Sequence, residues 1–220
     1  EQIARFAVNQ YKYPSLDVRP YFKRNYLYGE AMTHILGYVG RINDRDVERL
    51  KKEEKFANYS GSTDMGKLGI ERYYEEQLHG TTGFEEVEIN NRGKVIRKLR
   101  EQPATAGKSI HLTIDFTLQR YIMSLLSGQK GAVVVLDPKD NSVLAMVSTP
   151  SYDNNLFVDG ISSSDYKRLL EDPTRPLYSR ATQGVYPPAS TVKPFVAVAA
   201  LTEGVITPNT TIFDPGYWTL

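Results

Sequence analysis

The clearest patterning lies in the second half of the chain. Ile110, Leu112 and Ile114 alternate with His111, Thr113 and Asp115, the period of a half-buried strand. Leu118, Tyr121, Ile122, Leu125 and Leu126 then recur at helical spacing. Asp115 is placed to cap that helix and Gly128 to stop it. Residues 132–136 form a β-branched run, Asp137-Pro138-Lys139-Asp140-Asn141 has turn chemistry, and residues 143–147 return as a second strand. Strand, helix and hairpin in that order predict a helix lying on an antiparallel sheet.

The first half is less regular. Residues 47–56 and 70–78 read as short exposed helices. Residues 84–89 and 94–99 read as strands joined by the turn Asn90-Asn91-Arg92-Gly93. Charge separates the halves. Residues 1–110 carry 19 basic and 16 acidic side chains, and residues 111–220 carry 8 and 10. The first half is therefore mostly solvated surface. Gln102-Pro103-Ala104-Thr105-Ala106-Gly107 has linker composition and places a boundary there, giving domains 1–106 and 107–220.

With 220 residues, 40% hydrophobic and 24% charged, the chain can bury a sizeable core and is neither collagen-like nor disordered. Its net charge of +1 offers no whole-chain attraction for nucleic acid. The absence of cysteine excludes disulfides, thiolate zinc sites and cysteine nucleophiles. Apolar runs are far shorter than the roughly 20 residues of a membrane span. The sequence begins at Glu1, without Met or a leader, and reads as part of something longer.

Several motifs fail on spacing. Ala106-Gly107-Lys108-Ser109 resembles the tail of a phosphate-binding loop, but position 102 is Gln where that loop needs Gly. Gly-x-Gly-x-x-Gly and Gly-x-Ser-x-Gly are absent. His34, His79 and His111 lack metal spacing, and Asp137 and Asp140 flank a turn. Ser-x-x-Lys occurs at Ser127–Lys130, Ser164–Lys167 and Ser190–Lys193. The first lies in turn material and the second at a helix start whose serines suit capping.

Ser190 has a different setting. The stiff segment Tyr186-Pro187-Pro188-Ala189 precedes it, an almost wholly apolar run of residues 192–201 follows, and Gly204 closes the segment. The pattern predicts a buried helix with Ser190 in its first turn and Lys193 one turn on. Residues i and i+3 share a helix face, so the amine can reach the hydroxyl. A serine becomes a nucleophile when a base takes its proton, and a lysine becomes that base when partly buried. The positive end of a helix favours an oxyanion forming on the substrate. A serine cap followed by an incidental lysine is the structural alternative.

Tyr186-Pro187-Pro188-Ala189-Ser190-Thr191-Val192-Lys193-Pro194 resembles the active-serine segment of the class B penicillin-binding proteins. Gly66-Lys67-Leu68-Gly69-Ile70-Glu71-Arg72-Tyr73-Tyr74-Glu75, Gly80 to Gly83 and Asn91-Arg92-Gly93 resemble that family's pedestal signature. Residues 148–157 and Arg180-Ala181-Thr182-Gln183-Gly184 resemble flanks of its transpeptidase domain. The resemblance is to the cell-elongation branch.

It implies an α+β, or α/β, fold: an irregular pedestal, or dimerisation-type, domain, then the N-terminal part of a serine β-lactamase/transpeptidase-like domain with helices on an antiparallel sheet. It implies a peptidoglycan D,D-transpeptidase. Ser190 would attack the D-Ala-D-Ala end of a stem peptide with Lys193 as base, and β-lactam antibiotics would stall at the acyl-enzyme. Expected partners are stem peptides, a membrane glycan polymerase and a rod-complex scaffold, with no nucleic acid. The expected location is the periplasmic face of the inner membrane, with an anchoring helix upstream. No cofactor is required for catalysis; a structural zinc is implied with Asp214 as first ligand and the others beyond the chain. The family usually has Gly where this chain has Ala189; if that position needs φ > 0, Ala costs on the order of 1 kcal/mol and shifts the serine. Ser-x-Asn and Lys-Thr-Gly do not follow Lys193, so this piece is expected to be inactive alone. A serine β-lactamase-type hydrolase and a non-catalytic penicillin sensor or scaffold are the alternatives.

Overall fold

The computed structural model describes residues 2–13, 16, 18, 21–91, 93 and 95–217. Nine α-helices and six strands alternate among them: α1 (Gln2–Asn9), α2 (Thr33–Leu36), β1 (Val39–Arg41), α3 (Asp44–Lys52), β2 (Asp64–Gly66), α4 (Gly69–Tyr73), α5 (Glu75–His79), β3 (Phe84–Ile89), β4 (Val95–Gln102), α6 (Phe116–Leu125), β5 (Gly131–Leu136), β6 (Val143–Thr149), α7 (Ser163–Glu171), α8 (Arg180–Gln183) and α9 (Lys193–Thr202). The strands pair as three two-stranded antiparallel sheets, β1–β2, β3–β4 and β5–β6. This is the mixed α and β fold that the patterning implied. One compact unit ends at Gln183 and a second begins at Gly184.

In the first unit α3 starts earlier than apolar spacing alone predicts, because Asn43 and Asp46 form a reciprocal cap. Asp46 N–H donates to Asn43 Oδ1 at 3.0 Å, and Asn43 N–H donates to Asp46 Oδ2 at 3.1 Å. The helix expected over 70–78 is interrupted at Tyr74 into α4 and α5. Leu50, Tyr59 and Met65 bury together, with Ile42 against them. The β3–β4 hairpin follows the expected pairing; Arg92 in its turn and Lys94 at the predicted start of the second strand lie outside the described residues. The segment of linker composition is pinned. Thr81 and Thr105 exchange backbone hydrogen bonds at 2.9 Å, and a Cβ on Gly107 would lie 1.9 Å from the Leu78 carbonyl.

The helix-on-sheet expectation holds for α6. Asp115 caps it by accepting from Leu118 N–H at 3.0 Å, and Gly128 turns the chain at φ +75°. Ile122 packs on Ala145 and Val147 of β6, with Leu118, Met123, Leu126, Val133 and Val135 around them. The strand expected over 110–114 does not form. Its nearest ladder, the outer edge of β6, is already occupied: Asp115 N–H donates to Leu144 O at 2.8 Å, and the Gln119 side chain takes Met146. Only the Thr113 hydroxyl reaches that edge, at Val143 O, 2.7 Å.

Candidate active site

The second unit carries the serine and lysine singled out by the sequence. Pro188 lies in the right-handed helical region (φ −68°, ψ −17°), and Ala189 follows at φ +46°, a left-handed conformation that costs an L-residue on the order of 1 kcal/mol. The condition for strain with Ala in place of Gly, a positive φ, is thus met immediately before Ser190. Residues Ala189–Val192 form a 3₁₀ turn in which Thr191 N–H donates to Pro188 O at 3.1 Å, and the Thr191 hydroxyl donates to the same carbonyl. Lys193 N–H then closes on Ser190 O and begins α9, with Pro194 in the first helical turn.

Side chains three apart eclipse in a 3₁₀ turn, so Ser190 and Lys193 leave the backbone on the same side. Both are exposed, and among the described residues neither the hydroxyl nor the amine takes a hydrogen-bond or ionic partner. At the far end Val205 N–H returns to Ala200 O at 3.0 Å and Gly204 N–H to Leu201 O at 3.2 Å, a Schellman stop with Gly204 at φ +69°.

The expected burial of this helix is not observed. No residue of α9 is buried, and Phe195, Val196 and Val198 are 75%, 60% and 63% exposed. Its apolar residues occupy every side, so one neighbouring layer could not cover them; the covering surfaces are not supplied by the described residues. The low-dielectric wall that would make Lys193 a base is likewise not built from them. Asp214 sits in an Asx turn, with Oδ1 accepting from Gly216 N–H at 2.8 Å. Among the described residues no group of three or more His, Cys, Asp or Glu side chains converges. A lone, turn-bound carboxylate does not make a four-ligand zinc site, so no step here runs through a metal.

The remaining Ser-x-x-Lys pairs are structural. Ser162 caps α7 by accepting from Asp165 N–H at 3.0 Å beside Ser164, and Lys167 pairs with Glu171. Ser127 lies in the turn after α6, and Lys130 donates to Pro173 O at 3.2 Å.

The sequence reading missed how the first unit joins residues 26–37 to residues 115–155. Gln119, 1% exposed, donates to Ala31 O at 2.8 Å and Met146 O at 2.9 Å, and accepts from Met146 N–H at 2.9 Å. Asn154 donates to Gly37 O at 2.7 Å, Asn155 to Tyr26 O at 2.9 Å and Ser151 to Glu30 O at 2.8 Å. Thr33 reaches Tyr152 O at 2.6 Å. A signal existed at Gln119, which shares helical spacing with Ile122, Met123 and Leu126 and so occupies an apolar face. Glu71, also buried, receives Arg24 through both oxygens at 2.7 Å and the Tyr26 phenol at 3.2 Å. Burial and the Glu71 charge push the Tyr26 phenol well above its ordinary range.

The family pattern of the penicillin-binding protein dimerisation domain matches residues 1–112, and that of the penicillin binding protein transpeptidase domain matches residues 131–220. The chain belongs to the class B penicillin-binding proteins. Within that family it is 83% identical over 220 residues to the peptidoglycan D,D-transpeptidase MrdA of Haemophilus influenzae, covering 100% of this chain and 34% of the relative. It is 65% identical over 219 residues to MrdA of Escherichia coli K12, covering 100% and 35%. The chain therefore spans about a third of the curated relatives it matches. Among solved structures, PBP2 of Helicobacter pylori in complex with MreC superimposes with TM-score 0.81 at 29% identity, over 99% of this chain and 40% of that one. PBP2 of Pseudomonas aeruginosa in complex with WCK 5153 does so with TM-score 0.72 at 46% identity, over 93% and 40%.

Proposed function

We propose that this penicillin-binding protein is part of a peptidoglycan D,D-transpeptidase that cross-links the wall during rod elongation. Residues 1–106 would form the pedestal and residues 107–220 the start of the catalytic domain. The observation that carries the reading is the 3₁₀ turn that sets Ser190 and Lys193 on one side of the backbone, in a chain 83% identical to a named D,D-transpeptidase. Lys193 takes the Ser190 proton as Oγ attacks the penultimate D-Ala carbonyl. The tetrahedral intermediate collapses, the peptide C–N bond breaks, and terminal D-Ala leaves with a proton. An amine of a neighbouring stem then attacks the acyl-enzyme, forming the cross-link and returning the serine. β-Lactams enter the same first step: Oγ attacks the lactam carbonyl, the ring C–N bond breaks, and the nitrogen takes up the proton but stays tethered to the acyl-enzyme instead of departing.

Residues 1–220 alone, lacking the later motifs of the catalytic domain, would be inactive. The periplasmic face of the inner membrane is the proposed location, with an upstream anchor; among the described residues no helix is long and apolar enough to cross a membrane. A rod-complex scaffold and a membrane glycan polymerase are the proposed partners, the scaffold being supported by the solved PBP2–MreC pair. Asp214 would be one zinc ligand, with the rest outside this sequence.

The test is labelling of the full-length protein by fluorescent penicillin beside Ser190→Ala and Lys193→Ala. Loss of labelling in both folded variants is expected, and undiminished labelling of Ser190→Ala would remove the nucleophile assignment. Fast release of the label would favour a β-lactamase-type hydrolase. Stable labelling without cross-linking of stem peptides would favour a sensor.

A further inference from the structure

Away from Ser190, residues 27–31, one face of α6 and residues 149–151 enclose a groove of about 870 Å³, within the size range of small-ligand sites. Phe116, Arg120, Met123 and Ser124 line it from α6, spaced along one side of the helix, and Ser127 lines it from the turn that follows. Tyr28 lies against Phe116 with ring centroids 3.9 Å apart, yet remains 53% exposed. The pair forms an aromatic shelf with an open face. Arg120 sits 5.9 Å from the Phe116 centroid.

Charge and hydrogen-bonding capacity surround that shelf. Arg120 and Lys130 line the groove with a single acid, Glu30, and among the described residues neither cation is in a salt bridge. Asp172, whose carboxyl is held below its ordinary value by Thr174 and more weakly by Lys130, spends Oδ1 on the Thr174 N–H and hydroxyl at 2.7 and 2.6 Å. Ser124, Ser127 and Gln129 add neutral polar groups.

We infer that this groove holds a saccharide segment of an anionic, N-acetylated glycan strand. A pyranose ring has an apolar C–H face that suits the open side of Tyr28, and a polar rim that suits the hydroxyls and the Gln129 amide. Its carboxylates suit Arg120, whose fork binds them bidentately, and Lys130. Two other occupants fit worse. An added peptide strand needs an open sheet edge, and the edge of β6 beside α6 is taken by Asp115 and Gln119. A polyphosphate chain needs more than two cations beside an acid. The inference rests on the proposed function for the identity of the glycan, which would here be the strand whose stems are cross-linked.

The experiment uses full-length protein, both free and blocked at the active serine by penicillin. It titrates by calorimetry a tetrasaccharide of alternating N-acetylglucosamine and N-acetylmuramic acid without stem peptides, with chitotetraose as the uncharged probe. Blocked and free protein are expected to bind the anionic tetrasaccharide alike and more tightly than chitotetraose. Tyr28→Ala is expected to weaken both sugars tenfold or more. Arg120→Gln, at an exposed position that leaves folding intact, is expected to weaken only the anionic one, about tenfold. Binding unchanged in both variants, or abolished by penicillin, overturns the inference. Should the protein not be acylated at all, the free protein still reads the groove, so the two proposals fail separately.

Discussion

Gln119 offers the sharpest test of how the first unit is held together. Its side-chain amide takes both backbone groups of Met146, as a neighbouring strand would, and adds Ala31 O from the N-terminal segment. Gln119→Leu keeps the volume and removes all three bonds, at 2.8–2.9 Å, where the residue is 1% exposed. At about 1 kcal/mol for each bond the loss is about 3 kcal/mol, and added apolar burial returns about 1. A net destabilisation of about 2 kcal/mol is expected, read as a lower urea midpoint followed by near-UV circular dichroism. Gln119→Glu separates hydrogen bonding from shape. A carboxylate cannot donate to Ala31 O or Met146 O, and it buries a charge, so the loss exceeds that of the leucine variant at neutral pH. Burial raises its folded pKa above the unfolded value of about 4.3, so stability returns as pH falls from neutral toward that value. A leucine variant within 0.5 kcal/mol of the parent, or a glutamate variant with a pH-independent loss, refutes the reasoning.

Other outcomes follow from the same structure. Burial holds His34 below its ordinary value, against the carbonyls of Pro176 and Pro150, and among the described residues its buried Nε2 has no hydrogen-bond partner. The unfolded chain is then protonated first, so stability should fall as pH drops through about 6.5 and level off once the folded state also takes the proton; His34→Gln should flatten a plot of melting temperature against pH over that window. Arg24→Met strands the buried Glu71 carboxylate; discounted for the 40% exposed arginine side chain, a loss of about 2 kcal/mol is expected, partly restored by adding Glu71→Gln, in urea unfolding. At Ala189, φ +46°, glycine should be near neutral in stability, because relief of about 1 kcal/mol of strain is offset by chain entropy. Ala189→Val should add strain on the order of 1 kcal/mol and slow β-lactam acylation of the full-length protein several-fold, measured by stopped flow.

Local signals made much of this legible. Asp115, Ser162, Gly128 and Gly204 act at helix ends, where a side-chain oxygen or a missing Cβ has the same use in any fold. The β5–β6 and β3–β4 hairpins follow from alternation and turn residues. Nonlocal competition made the rest illegible. Residues 110–114 alternate like a strand, but Asp115 and Gln119 reach the available edge first. Residues 192–201 read as buried because they are apolar all round, yet burial needs neighbours, and composition says nothing of where those lie. The Ser190–Lys193 spacing was readable because both belong to one turn, whereas the Arg24–Glu71 pair spans 47 positions.

The joint between residues 26–37 and residues 115–155 is chemically lopsided. On one side stand the amides of Gln119, Asn154 and Asn155 and the hydroxyl of Ser151; on the other they meet main-chain carbonyls of Ala31, Gly37, Tyr26 and Glu30. A carbonyl oxygen is present whatever residue carries it. The hydrogen-bonding instructions for docking are thus written mostly in one partner; on the other, the side chains that matter are Thr33, His34 against Tyr152 and Pro150, and Tyr28 against Phe116, and positions that offer only a carbonyl are free to drift in sequence. A variant exchanging the side chains of Glu30 and Ala31, which offer the joint only their carbonyls, should keep it, while one exchanging residues 119 and 151–155 should lose it.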